Sequence, residues 1–236
     1  SLIAGVIAAW QGLAALIGSV SQMAHIRLGK RGEGRNPLIR DFVPLASLDD
    51  LVFGGWDPIS SNVLEAARTC GVLDEKDIAP VSSELEAIVA MDAVFDNRWV
   101  KNLDGKRVKN LDSKWDQAQA LIADIEKFRV DNECDRLVMV WCGSTEAFQE
   151  ASSVHESVDS FEEGLKSNDE NISPSQIYAY AAIMSGVPFA NGAPNLALDI
   201  PCMVELAKSR GVPVAGKDFK TGQTLMKTLL APGLKA

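Results

Sequence analysis

Apolar positions along this chain follow two rhythms. Residues 115–132 carry Ala118, Leu121, Ile122, Ile125 and Phe128 at three- and four-residue spacing, which predicts an amphipathic helix. Residues 2–10 are apolar around most of a helical circumference and predict a buried helix, ended by Gln11 and Gly12 and followed by a second short apolar segment over 13–20. Further helices are expected over 58–70, in parts of 74–90, and from Ser173 and Pro174, a cap followed by a proline. That last helix shows an apolar face of Ile177, Tyr180, Ala181 and Met184 and stops at Gly186. Residues 196–209 read as helical, and Pro201 moves the helix proper to begin near Ile200. A final helix is expected over 220–230.

The second rhythm is the short continuous apolar run. Residues 51–53, 137–141, 187–190 and 212–215 are of this kind. Such runs suit strands covered on both faces by helices. Strand and helix alternate along the chain, and crossovers of this length give parallel strands with right-handed connections. The fold class expected is α/β, a doubly wound and mostly parallel sheet.

Composition narrows the function. A net charge of −9 argues against a nucleic-acid partner, because a phosphate backbone needs a basic face. Residues 1–24 contain no charge, as a membrane span would require. Gln11, Ser19, Ser21, Gln22 and three glycines argue against it, and the missing basic start argues against a signal peptide. Cys70, Cys134, Cys142 and Cys202 are widely spaced, which fits a reducing, cytoplasmic setting better than a disulfide framework or zinc. Only His25 and His155 are present, which argues against a histidine metal site or triad.

Candidate chemistry sits where strands end, since open α/β sheets bind ligands at the carboxyl ends of their strands. Gly54, Gly55, Trp56 and Asp57 follow the first run. An acid there can accept bonds from ribose hydroxyls, cap the next helix, or do both. Cys142, Gly143, Ser144 and Thr145 follow the second run, where small residues let a cofactor approach the backbone. The alternative is a plain helix cap by Ser144 or Thr145 with Glu146 in the first turn. Cys142 reads as a packing residue rather than a nucleophile. Asn191, Gly192, Ala193, Pro194 and Asn195 follow the third run. After the fourth, Gly216 turns the chain toward Asp218, and Thr221, Gly222, Gln223 and Thr224 open the final helix, a start suited to a phosphate. Lys220 and Lys227 lie seven apart, on one face of that helix. The basic, glycine-rich stretch 27–40 reads as a solvated loop, and residues 154–171 as an acidic, exposed helix and loop.

The stretch AGKDFKTGQT resembles the GDD-x-K-S/T-G-Q-T signature of the inositol-3-phosphate synthase (myo-inositol-1-phosphate synthase) family, with Lys217 in place of the first acid and Thr221 in place of the serine. Three further segments resemble it in order: GGWD for SGWD, VMVWCGSTE for VLWTANTER, and GVPFANGAPN for GVPYINGSPQN. The resemblance implies a Rossmann-like NAD-binding domain. It places Asp57 on the NAD ribose, Ala93 and Val94 on the adenine side, and Cys142, Gly143, Ser144, Thr145, Gly192 and Ala193 along the cofactor. Asp218, Thr221 and Gly222 fall at the nicotinamide and phosphate end, and Asp218, Lys220 and Lys227 take the catalytic roles. Asp199 has no counterpart in the family pattern.

The family's reaction converts glucose 6-phosphate to inositol 3-phosphate. The sugar is oxidised at C5, a C6 proton is removed, the enolate closes on C1, and the ketone is reduced again. The resemblance further implies a homo-oligomer, a tetramer in the family. It divides the chain into an NAD-binding domain over 1–191 and the start of a catalytic and oligomerising α+β domain over 192–236. It also places the family's glycine-rich phosphate turn before Ser1 and its main lysines beyond Ala236, so the chain by itself is expected to be inactive. The competing readings are another NAD-dependent oxidoreductase on the same sheet and a non-catalytic NAD-binding or assembly piece.

Overall fold

The computed structural model describes residues 1–15, 24–219, 229–230 and 232–234. Packing divides the chain into two compact units, residues 1–92 and 93–236.

In the first unit, α1 (Leu2–Trp10) ends at Gln11 as expected. The short α2 (Ile39–Phe42) follows the 27–38 loop, whose ends are joined by a single antiparallel bridge between His25 and Leu38. Then come α3 (Val63–Cys70), α4 (Glu75–Ile78) and α5 (Ser82–Ala87). Ala4 and Ile7 of α1 join Leu64, Ala67, Ile78, Val81 and Leu85 in the core. Each such aliphatic side chain contributes about 1.5–3 kcal/mol on full burial.

Three expectations change here. Only one face of α1 is buried, and Leu2 is 74% exposed. Residues 51–53 form no strand: they follow a turn over Leu48–Asp50, and Val52 faces solvent while Leu51 and Phe53 are half-buried. The pairing falls instead on Trp56, a single parallel bridge to Met91. The helix expected from residue 58 begins only at Val63, because Asn62 accepts the Glu65 N–H and supplies the cap.

The second unit holds α6 (Lys114–Asp131), β1 (Met139–Trp141), α7 (Val158–Ser167), α8 (Pro174–Met184), β2 (Phe189–Asn191), α9 (Pro201–Arg210) and β3 (Val214–Ala215). The strands are parallel in the order β1-β2-β3, with Trp141 opposite Asn191 and Ala190 opposite Ala215. The parallel α/β sheet is therefore as expected. Ala118, Leu121 and Ile125 give α6 its buried stripe, and α6 packs on α8. Pro201 sits in the first turn of α9, where its missing N–H costs nothing.

Helix α8 is buried on every side from Pro174 to Ile183, not on one face. It carries no charge, and its alanines let neighbours approach all round. Segment 154–171 is less exposed than expected: Val154, His155, Phe161 and Leu165 are buried. Residues 142–150 form no helix, so the helix-cap alternative for Ser144 and Thr145 does not hold. The second apolar segment near the start lies largely outside the described residues, as does most of the expected final helix. No helix among the described residues is long and apolar enough to cross a membrane.

Candidate cofactor site at the strand ends

Because the three strands are parallel and in step, the segments that follow them emerge at one edge. Main-chain bonds tie these segments together. Gly192 donates its N–H to Trp141 O at 2.9 Å, and Phe219 donates to Gly192 O at 3.1 Å. Asp218 donates to both Asn191 O and Ala193 O at 3.2 Å. Asp218 adopts a left-handed φ of 64°, a conformation that aspartate tolerates better than most residues. Thus Cys142, Gly143, Ser144, Thr145, Gly192, Ala193 and Asp218 share one rim. Gly192 is required there, since a Cβ would stand 2.6 Å from Trp141 O and 2.8 Å from the Phe219 ring.

Residues 142–145 are exposed. Among the described residues, the N–H groups of Gly143, Ser144 and Thr145 make no hydrogen bond. Exposed, unengaged N–H groups beside a glycine at a parallel strand end fit the phosphate and ribose oxygens of a dinucleotide. Cys142 is exposed rather than packed as expected, and desolvation of its sulfur raises the thiol pKa, which disfavours a thiolate.

Beneath the rim lies a polar layer that sequence reasoning did not assign to the site. Glu146 is 7% exposed, and its carboxylate accepts the Ser175 N–H at 2.8 Å and the Ser175 hydroxyl at 2.6 Å. Its own N–H donates to Asn195 Oδ1 at 2.9 Å. Asn191 donates through Nδ2 to Asn195 O at 2.9 Å and accepts the Ala193 N–H at 3.1 Å. Burial raises the Glu146 pKa, opposed by the Ser175 bonds. The sequence signals for this layer are Glu146 at the end of the VMVWCGSTE segment and the asparagines on either side of Gly192.

Ala93 and Val94 are buried in the second unit. The Val94 N–H donates to Tyr178 Oη at 2.9 Å, and burial raises the Tyr178 pKa. The Tyr178 ring packs against Trp141, with centroids 5.2 Å apart. Val94 also lines a cleft of about 440 Å³ with Asp96, Arg98, Lys114 and Ile177. The Lys114 ammonium is spent on Asp169 O and Ile172 O, each at 2.6 Å, and burial lowers its pKa.

Asp57 belongs to the first unit. Its Oδ1 accepts the N–H groups of Ile59 at 2.7 Å and Ser60 at 2.9 Å, and its own N–H donates to Met91 O. It caps a turn rather than a helix, and its second carboxylate oxygen takes no part in those bonds. Lys220, Thr221, Gly222 and Lys227 lie outside the described residues. Lys217 pairs with Asp199 at 2.6 Å, which accounts for an acid that the resemblance left without a role.

Comparison with known proteins adds to this geometry. A family model for an NAD-binding domain, described as Myo-inositol-1-phosphate synthase, matches residues 1–234. Inositol-3-phosphate synthase 1 of Bacteroides thetaiotaomicron is 47% identical over the whole chain, which covers 54% of that protein. The inositol-3-phosphate synthase of Brassica napus is 32% identical over 98% of the chain and 48% of its own length. The crystal structure of inositol-3-phosphate synthase from Caenorhabditis elegans superposes with a TM-score of 0.82 at 30% identity, over 92% of this chain and 45% of that one. The chain spans about half the length of the curated relatives it matches.

Proposed function

The chain belongs to the myo-inositol-1-phosphate synthase family, and from that premise we propose that it forms the NAD-holding part of an enzyme converting glucose 6-phosphate to inositol 3-phosphate. The observation that carries the reading is the meeting of residues 142–145, 192–193 and 218 on one rim of a parallel sheet. NAD, when bound, supplies a hydride acceptor that returns the hydride later, so the overall change is an isomerisation.

This chain's residues hold and orient. Asp57 accepts bonds from the adenosine ribose through its uncommitted oxygen. Ala93 and Val94 lie toward the adenine. The N–H groups after β1 meet cofactor oxygens, and Gly192 and Ala193 admit the dinucleotide close to the backbone. Asp218, fixed by two carbonyls, stands at the nicotinamide end. Thr221 and Gly222 offer donors to phosphate, and Lys220 and Lys227 stabilise negative charge developing on substrate oxygens. Residues 192–236 begin a catalytic and oligomerising domain, and the assembled enzyme is a cytoplasmic homotetramer supplying inositol for phospholipid synthesis.

A chimera tests the reading. This chain replaces the matched 54% of the Bacteroides thetaiotaomicron enzyme. Glucose 6-phosphate and NAD should yield inositol phosphate without accumulation of NADH. Accumulating NADH would mark an ordinary oxidoreductase instead. The chain alone should be stabilised by NAD, since a ligand that binds only the folded state raises the Tm, yet should not turn over. The absence of any shift would reject the reading.

A further inference from the structure

We infer that Glu146, with Asn195, is a positioning residue for the NAD site, a clamp that fixes residues 142–145 and 192–195 against one another from below the rim. The inference rests on the NAD reading above.

The first argument is how little else holds residues 142–145. They have no regular structure. Among the described residues, the N–H groups of Gly143, Ser144 and Thr145 bond to nothing in the protein. Their positions are set at the two ends. One end is Trp141, whose carbonyl accepts from Gly192. The other is Glu146, whose N–H is held by Asn195 and whose carboxylate is held by Ser175. The same bonds hold 192–195: Gly192 is tied to Trp141, and Asn195 to Glu146 and Asn191. The two segments are therefore cross-tied like two rungs, with the exposed N–H groups between them.

The second argument is cost. Burying a carboxyl group is expensive unless hydrogen bonds offset it. The Ser173–Gln176 capping box leaves the buried Ser175 N–H in the first turn of α8 to Glu146, so the acid also caps that helix. What Glu146 adds beyond the cap is a fixed connection from that buried helix to the post-β1 segment. Asn195 is 4% exposed, its Nδ2 is buried with no hydrogen-bond partner among the described residues, and its acceptors serve Glu146 and Asn191.

Amide hydrogen exchange and NAD titration on the 236-residue chain provide the test. With Glu146→Ala, exchange at the hydrogen-bonded N–H groups of residues 146, 175 and 192 should quicken at least tenfold while the core of α6 is unchanged, and the NAD Kd should rise about tenfold. Glu146→Gln keeps an acceptor for Ser175 and should stay within threefold of the parent in Kd. In the chimera, Glu146→Ala should raise the KM for NAD with little loss of kcat at saturating NAD, whereas general destabilisation would lower both activity and α6 protection. Unchanged exchange and affinity in a folded Glu146→Ala protein would overturn the clamp. If that variant does not fold, Ser175→Ala carries the test, with about threefold weaker NAD binding expected and unchanged binding rejecting the proposal. Failure of the parent chain to bind NAD would sink the NAD reading and leave the exchange measurement to decide the clamp.

Discussion

Two buried or half-buried acids follow extended segments in this molecule, and they are satisfied in opposite ways. Asp57 is held by its own neighbours: both N–H groups bonded to its Oδ1 lie within three residues along the chain. Glu146 is held by residues 29 and 49 positions away. The first is a turn whose side-chain bonds come from adjacent residues, while its main-chain N–H reaches Met91 O. The second exists only because α8 and the post-β2 segment have packed in place. The difference teaches where each site is vulnerable. The Asp57 turn should survive loosening elsewhere, while the rim around Glu146 should be lost with the packing of its unit.

Substitutions at three positions probe this contrast. Gly192→Val attacks the long-range side most severely. Its Cβ would collide with Trp141 O, a main-chain atom that cannot yield without moving β1. A loss of about 1–3 kcal/mol is expected from overpacking, read as a lowered denaturation midpoint, together with loss of NAD binding. Wild-type stability in this variant would mean that the rim is not tightly joined.

Asp57→Ala attacks the local side. Removing the acceptor for two N–H groups should cost about 1 kcal/mol, as for a lost helix cap, with protection elsewhere in the chain unchanged. Asp57→Asn keeps the acceptor and should leave stability nearly intact while weakening NAD binding. Equal affinity in the Asn variant and the parent would remove Asp57 from the ribose site.

The smallest effect sharpens the comparison through pH. Burial raises the Glu146 pKa above its ordinary value of 4.5, so the folded chain keeps this proton to higher pH than the unfolded chain does. The stability that Glu146 contributes is fully present below the unfolded pKa. It is lost as pH rises through the raised folded value. Glu146→Gln has no proton to lose, so urea midpoints measured upward from pH 4.5 should fall less steeply than in the parent. Parallel slopes would show that Glu146 titrates normally.

Much of the framework was legible because it is local. The stripe of α6, the stop at Gly186, the proline start of α9 and the strand endings all follow from spacing and from the conformational limits of Gly and Pro. Less legible were elements whose state depends on neighbours. Residues 51–53 look like a strand, but among the described residues they pair with no strand and only one side of the run is covered. Helix α8 shows an apolar face in sequence, yet neighbours enclose all of it. Residues 142–150 begin like a capped helix, but Glu146 bonds forward to Ser175 instead of back to its own turn. Gly192, Asp218 and the 142–145 run were legible as candidates from strand-end position and family resemblance, and the structure brings them to one rim. Glu146, Ser175, Asn191, Asn195 and Tyr178 were not assigned, because nothing local distinguishes a buried polar residue from an exposed one.

The sequence by itself determined the alternation of strand and helix, the parallel α/β class and the glycine-bearing strand ends, since these depend on periodicity and on backbone limits within a few residues. Only the tertiary structure decided which strand runs actually pair, that α8 is wholly enclosed, and that Glu146 and Asn195 join two segments beneath the rim. Those outcomes depend on contacts between residues far apart in the chain, where a hydrogen bond forms only after packing has excluded water and brought donor to acceptor.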